Sequence, residues 1–221
     1  MSDDGFFREV NEELRQDQAR ALWDRYGPAA IVIAVLVVLG TGGFVGYNHW
    51  ATTQANRSGD SYSEALKLAN GDDKNGALAA LVELETGSKG AYPVLARLRA
   101  ATVKADMGDA AGAIASFEAV AKDNSVPVSI RDMAQLRAGL IEVDHGTYDA
   151  VSARVGALNT EANPLRHSAR EALGLAAWKE NRMEEATKLF ELISADQTAP
   201  RNLRERANLL TELIRGSGSA S

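Results

Sequence analysis

Three histidines, His49, His145 and His167, are the side chains best suited to metal ligation or to proton transfer near neutral pH. A histidine-built zinc site needs ligands at short repeating spacings, as in His-Glu-x-x-His, and none of the three has such a neighbour. Surface or helix-pairing roles suit them better, and His167 with Glu171, four residues on, is expected to form an i,i+4 pair. Gly87-Ser88-Lys89-Gly90 has phosphate-loop residue types, but a P-loop places its glycine, lysine and hydroxyl in another order behind a strand; a turn is expected instead. The chain has no cysteine, which removes disulfides, thiol catalysis and cysteine-ligated metals. With no recognisable nucleophile elbow or paired-carboxylate motif, the sequence reads as a non-enzyme without a cofactor. A net charge of -6 leaves no broad basic surface to track phosphates, so nucleic acid is not an expected partner.

The elements that position these residues repeat. Ala77, Ala113, Val151 and Ala186 head equivalent segments, followed four residues later by Leu81, Phe117, Val155 or Phe190 and three further on by Leu84, Val120, Leu158 or Ile193. Those offsets draw one helical face. Twelve residues before each head stands a small residue, Ala65, Ala101, Gly139 or Gly174, where two helices could approach closely. Gly108-Asp109 and Gly146-Thr147 read as turns and caps, and Asn181 with Glu184 as a capping box. Pro93, Pro127, Pro164 and Pro200 each open the next unit. The segment Arg201 to Ile214 puts Leu203, Ala207, Leu210 and Ile214 on one stripe and is expected to cap the array.

A helix pair with small residues at these two positions and a closing proline resembles the tetratricopeptide repeat over roughly residues 60–200. It departs from that consensus at Ser61, Arg97, Gln135 and Arg170, where an aromatic is usual. In such an array the first helices line the concave face. The resemblance therefore assigns a partner-binding groove to Leu98, Met133, Leu136, Leu140, Leu175 and Trp178, alongside Tyr62, Leu66, Leu95 and Val143. Two readings of this apolar set stand: an open groove for an amphipathic helix or unfolded segment, or core covered by neighbouring helices.

Ahead of the repeats, Gly27 to Tyr47 runs without one Asp, Glu, Lys, Arg or His. As a helix it is roughly 31 Å long, enough to cross the hydrocarbon layer. Trp23 and Tyr26 precede it and Tyr47 and Trp50 follow it, as at membrane interfaces. A cleavable signal suits it poorly, because the leading tail is long and acidic and the exit, Asn48-His49-Trp50, lacks small residues. Arg8, Arg15, Arg20 and Arg25 before the span, against Arg57 and Lys67 after it, place the N-terminus in the cytoplasm. Gly42 and Gly46 form a Gly-x-x-x-Gly pair suited to packing another membrane helix. The expected organisation is all-α: a cytoplasmic amphipathic tail (1–26) with Phe6, Val10 and Leu14 on one face, a transmembrane helix (27–47), a helical stalk (48–59), a tetratricopeptide-like α-solenoid of about four helix pairs with a C-terminal capping helix (60–215), and a disordered tail (216–221).

The residues Phe6-Phe7-Arg8-Glu9-Val10-Asn11-Glu12-Glu13-Leu14-Arg15, Trp23-Asp24-Arg25-Tyr26-Gly27 and Gly46-Tyr47-Asn48-His49-Trp50, with one span and a repeat domain, together resemble the YfgM family. That resemblance implies an ancillary subunit of the SecYEG translocon in the inner membrane, with a periplasmic domain. It implies partnership with a PpiD-like membrane-anchored chaperone and contact with exported polypeptides, and it brings no catalytic residues. The competing reading is a structural organiser of another envelope complex, in cell division or cytochrome maturation.

Overall fold

The computed structural model describes residues 3–218; the side chains of residues 1–19, 21, 22, 30 and 218 lie outside the description, and with them the expected apolar face of the tail. Nine α-helices and no strand occur among the described residues: α1 (Asp3–Asn70), α2 (Lys74–Gly87), α3 (Tyr92–Asp106), α4 (Ala110–Lys122), α5 (Val128–His145), α6 (Tyr148–Val155), α7 (Arg166–Lys179), α8 (Met183–Ser194) and α9 (Arg201–Gly218). A 3₁₀ turn, Gly156–Leu158, follows α6. Helix α9 runs three residues into the Gly/Ser segment expected to be disordered, and Ser219 to Ser221 lie outside the described residues. The chain divides into two compact units, Met1–Ala55 and Asn56–Ser221.

The first unit is the N-terminal part of α1. Among the described residues α1 is long and apolar enough to cross a membrane, and none of its most apolar stretch is buried by the protein. Ile31, Val38, Leu39 and Phe44 are all more than half exposed, a patch that water would not tolerate and that lipid would solvate. Tyr47 and Trp50 stand with ring centroids 6.2 Å apart, and the Arg25 guanidinium lies 5.5 Å over the Tyr26 ring.

The second unit is a stack of helix pairs: the last turns of α1 with α2, α3 with α4, α5 with α6, and α7 with α8, closed by α9. Consecutive helices from α2 to α9 pack on one another. The first helix of each pair gives its small residue to the second. Ala65, Ala101, Gly139 and Gly174 are all buried, as are the four heads Ala77, Ala113, Val151 and Ala186. Opposite them, Leu81, Phe117, Val155 and Phe190 are at most 3% exposed. In the last two pairs the small residue is a glycine, and its partner fills the space of a side chain. A Cβ on Gly174 would stand 2.7 Å from Phe190 Cε1, and one on Gly139 would overlap Val155 Cγ1. Burying a side chain such as Phe190 contributes about 1.5–3 kcal/mol, so this contact is a principal cohesive element of each pair.

The helix ends follow the same register. Four residues before the head, Asp73, Asp109 and Thr147 accept from the backbone N–H groups of Gly76, Gly112 and Ala150 at 2.8, 2.9 and 3.2 Å, which satisfies donors that a helix start leaves open. In the fourth pair the expected capping box is absent: Arg182 begins α8 with no side-chain cap. Asn181 instead closes α7 in the left-handed region (φ 61°), with the N–H groups of Asn181 and Arg182 donating to Trp178 and Ala177 carbonyls. Gly108 (φ 82°) closes α3 in the same way. Asparagine tolerates that backbone, so the residue serves the helix before it and not the helix after it. Pro93 lies in the first turn of α3 as expected, whereas Pro127, Pro164 and Pro200 stand just ahead of α5, α7 and α9; Gly87 to Gly90 ends α2 as a turn.

Gly174→Ala should lower unfolding stability by about 1–3 kcal/mol through overpacking against Phe190. Gly87→Ala, whose Cβ position is open, should leave it within about 0.5 kcal/mol. Urea denaturation followed by circular dichroism of the detergent-solubilised chain separates the two.

Candidate functional site

The candidate surface is the face formed by the first helices, and what holds those helices together differs from seam to seam. Between α1 and α3, the Tyr62 and Tyr92 rings meet with centroids 6.0 Å apart, and Arg99 donates to Asn70 Oδ1 at 2.6 Å. Lys74 Nζ donates to the Ala69 carbonyl at the end of α1, also at 2.6 Å. Between α5 and α7, Lys179 Nζ donates to the carbonyls of Val143 (2.9 Å), Asp144 (2.8 Å) and Gly146 (3.2 Å). An ammonium on the free carbonyls of a helix C-terminus neutralises the negative end of its dipole. Between α3 and α5 there is a cleft of about 380 Å³, lined by Phe117, Leu140 and Ile141 together with Asp106, Asp144, Arg137 and His145.

The predicted groove residues divide accordingly. Leu136 is 5% exposed and belongs to the core between α5, α6 and α7, with Leu175 packed against the same cluster. Trp178 is half-buried against α8 and α9, and Leu98 is half-buried in the cluster of α3, α4 and α5. Met133 and Leu140 are open, at 40% and 36% exposed, as is Leu95. Leu136 is therefore core, Leu175 is half-buried against the same cluster, and Met133 and Leu140 stay open, Leu140 on the α3/α5 cleft. In the first unit, a Cβ on Gly42 or Gly46 would meet nothing within 4 Å, and the same holds for Gly40 and Gly43.

Polar side chains take the positions where a tetratricopeptide consensus has an aromatic. Arg97 pairs with Asp123 at 2.8 Å, Gln135 donates to the Arg154 carbonyl, and Arg170 reaches Asn159 Oδ1 at 2.9 Å and the Glu161 carboxylate. Hydrogen bonds to Ser125 and Arg97 hold the Asp123 carboxyl at a pKa of about 2. The second helix of the third pair, α6, is only eight residues long. A cleft of about 390 Å³ beside it is lined by Arg154, which pairs with Glu118 and, at 2.9 Å, with Glu142.

His167 is buried and does not pair with Glu171. Helix α9 brings Arg206 to Glu171, a partner whose charge is permanent. His167 Nε2 faces Thr198 Oγ1 at 3.4 Å and Asp196 Oδ2 at 3.5 Å, and its Nδ1 is buried without a partner. Burial, with the Arg166 and Arg170 guanidiniums beside it, lowers the His167 pKa, against the opposing pull of Asp196 and Glu161. Hydrogen bonds from Thr198 and Arg166 hold Asp196 at about 2. No group of three His, Asp or Glu side chains in ligating arrangement occurs among the described residues.

Stacked helix pairs with a partly open apolar face define an interaction scaffold of the α-solenoid class. The chain belongs to the family of tetratricopeptide repeat-like domains, whose pattern matches residues 20–203. Comparison with curated proteins and with solved structures gives no significant match.

A histidine whose folded pKa lies below its unfolded value of about 6.5 leaves the unfolded state binding more protons, so its contribution is full above that pH and declines as pH falls through it. Urea midpoints should therefore drop between pH 7.5 and 5.5, and His167→Gln should flatten that part of the profile. An unchanged slope in the variant would assign the loss to other groups.

Proposed function

We propose that this chain is a membrane-anchored interaction scaffold working beside the SecYEG translocon, with its N-terminus in the cytoplasm and its repeat domain in the periplasm. In this reading the repeat face receives exported polypeptides or a PpiD-like chaperone, and no catalysis is involved. One observation carries it. The family pattern begins at residue 20, ahead of the apolar segment, so anchor and repeats are matched as one unit and not as a repeat domain with an accessory helix. The arginines before the span supply the orientation, and the juxtamembrane motifs supply the resemblance to YfgM. The exposed glycine face around Gly42 and Gly46 gives a membrane partner a close-packing surface.

Met133 is the best reporter, because it is both exposed and on the assigned face. A photoreactive residue in its place, in the full chain in native membranes, should give adducts with translocon subunits, the chaperone or exported chains. Adducts confined to neighbouring helices of the same chain would overturn the proposal.

A further inference from the structure

The turn between α8 and α9, residues 195–200, is tied to α7 by a small hydrogen-bonded cluster. Thr198 Oγ1 donates its one proton to Asp196 Oδ1 at 2.6 Å, and the Thr198 N–H donates to the same oxygen at 2.8 Å. From α7, Arg166 donates to Thr198 Oγ1 at 2.6 Å and to Asp196 Oδ2 at 3.2 Å. His167 Nε2 lies against the same two atoms, 3.4 Å from Thr198 Oγ1 and 3.5 Å from Asp196 Oδ2. With the threonine proton already given to Asp196, both atoms are acceptors toward the ring, and this network assigns the proton of the neutral imidazole to Nε2. Nδ1 is then the bare nitrogen. It is buried with no hydrogen-bond partner among the described residues.

A second proton on this ring can go only to Nδ1. It would create an N–H without an acceptor on a side chain that is 6% exposed, and a cation beside Arg166 and Arg170 of its own helix. The carboxylates that face it are Asp196, in the turn after α8, and Glu161, in the turn before α7. Both are already engaged, Asp196 by Arg166 and Thr198, and Glu161 by Arg170. The folded cluster is therefore built for the neutral ring.

The two turns differ in how firmly they are held. Residues 159–165 are tied on both sides, Asn159 and Glu161 to Arg170 on α7 and Asn163 to Asp132 on α5. Residues 195–200 lead to α9, the last element, and the end of a stack opens at the least cost because it has neighbours on one side alone. Ala199 of this turn shares one apolar cluster with Leu203, Ala207 and Ile214 of α9 and with Phe190 and Ile193 of α8. Turn and capping helix thus come away together.

We propose that His167 is an acid-sensitive latch on the capping helix. Neutral, it holds the α8–α9 turn against α7; protonated, it releases the turn and α9 while the earlier pairs stay folded, uncovering Phe190 and Ile193. The device belongs to the fold and does not depend on which partner the scaffold meets.

Native-state hydrogen exchange on the full chain in detergent micelles tests it, with rates expressed as protection factors so that the intrinsic pH dependence cancels. Residues 203–214 should be less protected than residues 113–120 of α4 at both pH 7.5 and pH 5.5. Between those pH values their protection should fall by up to about tenfold, the ratio that an opened-state pKa of about 6.5 allows. In His167→Gln the fall at 203–214 should disappear. Equal protection of α9 and α4, no acid-dependent fall at 203–214, or a fall that persists in His167→Gln overturns the latch. Nitrogen-15 NMR reads the same event without a variant: the ring in contact with Thr198 should take its second proton on Nδ1 with a midpoint below about 6.5. A midpoint at or above that value overturns the proposal.

Discussion

The contact between a small residue on the first helix of each pair and a large apolar residue on the second sets the geometry of the repeat domain. Where the small residue is Gly174 or Gly139, the partner side chain sits within the space that a Cβ would need. Where it is Ala65 or Ala101, Leu81 and Phe117 are buried to the same degree. Close approach at that point brings the whole pair into register. The heads Ala77, Ala113, Val151 and Ala186 are buried with it, and the N-caps at Asp73, Asp109 and Thr147 fall where each second helix must begin. Each pair is thus a unit with its own small core, and the array is held by what joins one unit to the next.

The first helices are closed in different ways. Lysine ammonium groups serve the carbonyls at the ends of α1 and α5, Lys74 from within its own pair and Lys179 from the next, whereas α3 closes on the N–H groups of Gly108 and Asp109. Ion pairs bind the array along its length, Arg97 with Asp123 and Arg154 with Glu118 in the middle and, toward the C-terminus, Arg166 with Asp196 at 3.2 Å, Arg170 with Glu161, Arg206 with Glu171, and Arg215 with Glu191 at 2.8 Å. Helix α9 adds an apolar stripe, Leu203, Ala207 and Ile214, to the cluster around Phe190.

The periodic part of this architecture was legible in the residues, because spacing of three, four and twelve within one helix pair is local information. Four pairs, the prolines that open them and the capping stripe of α9 all emerge from it. The errors lie where a residue has two possible local roles or a partner far along the chain. Asn181 is equally suited to begin a helix or to end one, and its left-handed backbone ends α7. Glu171 has His167 four residues away, but Arg206, 35 residues on, takes it once α9 docks. The polar residues at the consensus aromatic positions stand as departures from the repeat pattern, yet Arg97, Gln135 and Arg170 are hydrogen-bonded to the chain that follows or precedes their own helix. For the candidate face, periodicity shows which residues share a side and says nothing of seam width. Leu136 and Leu140, one helical turn apart, consequently end as core and as cleft lining.

The array's joints turn on the closing of each first helix at its end, by a backbone turn in α3 and by the Lys179 ammonium in α5. Native-state hydrogen exchange on the full chain measures this directly, at the amides of residues 105–108 and 143–146. Replacing Lys179 by Met should lower protection at 143–146 and leave 105–108 unchanged. An α5 end indifferent to the loss of Lys179, or an equal fall at both helix ends, would contradict it.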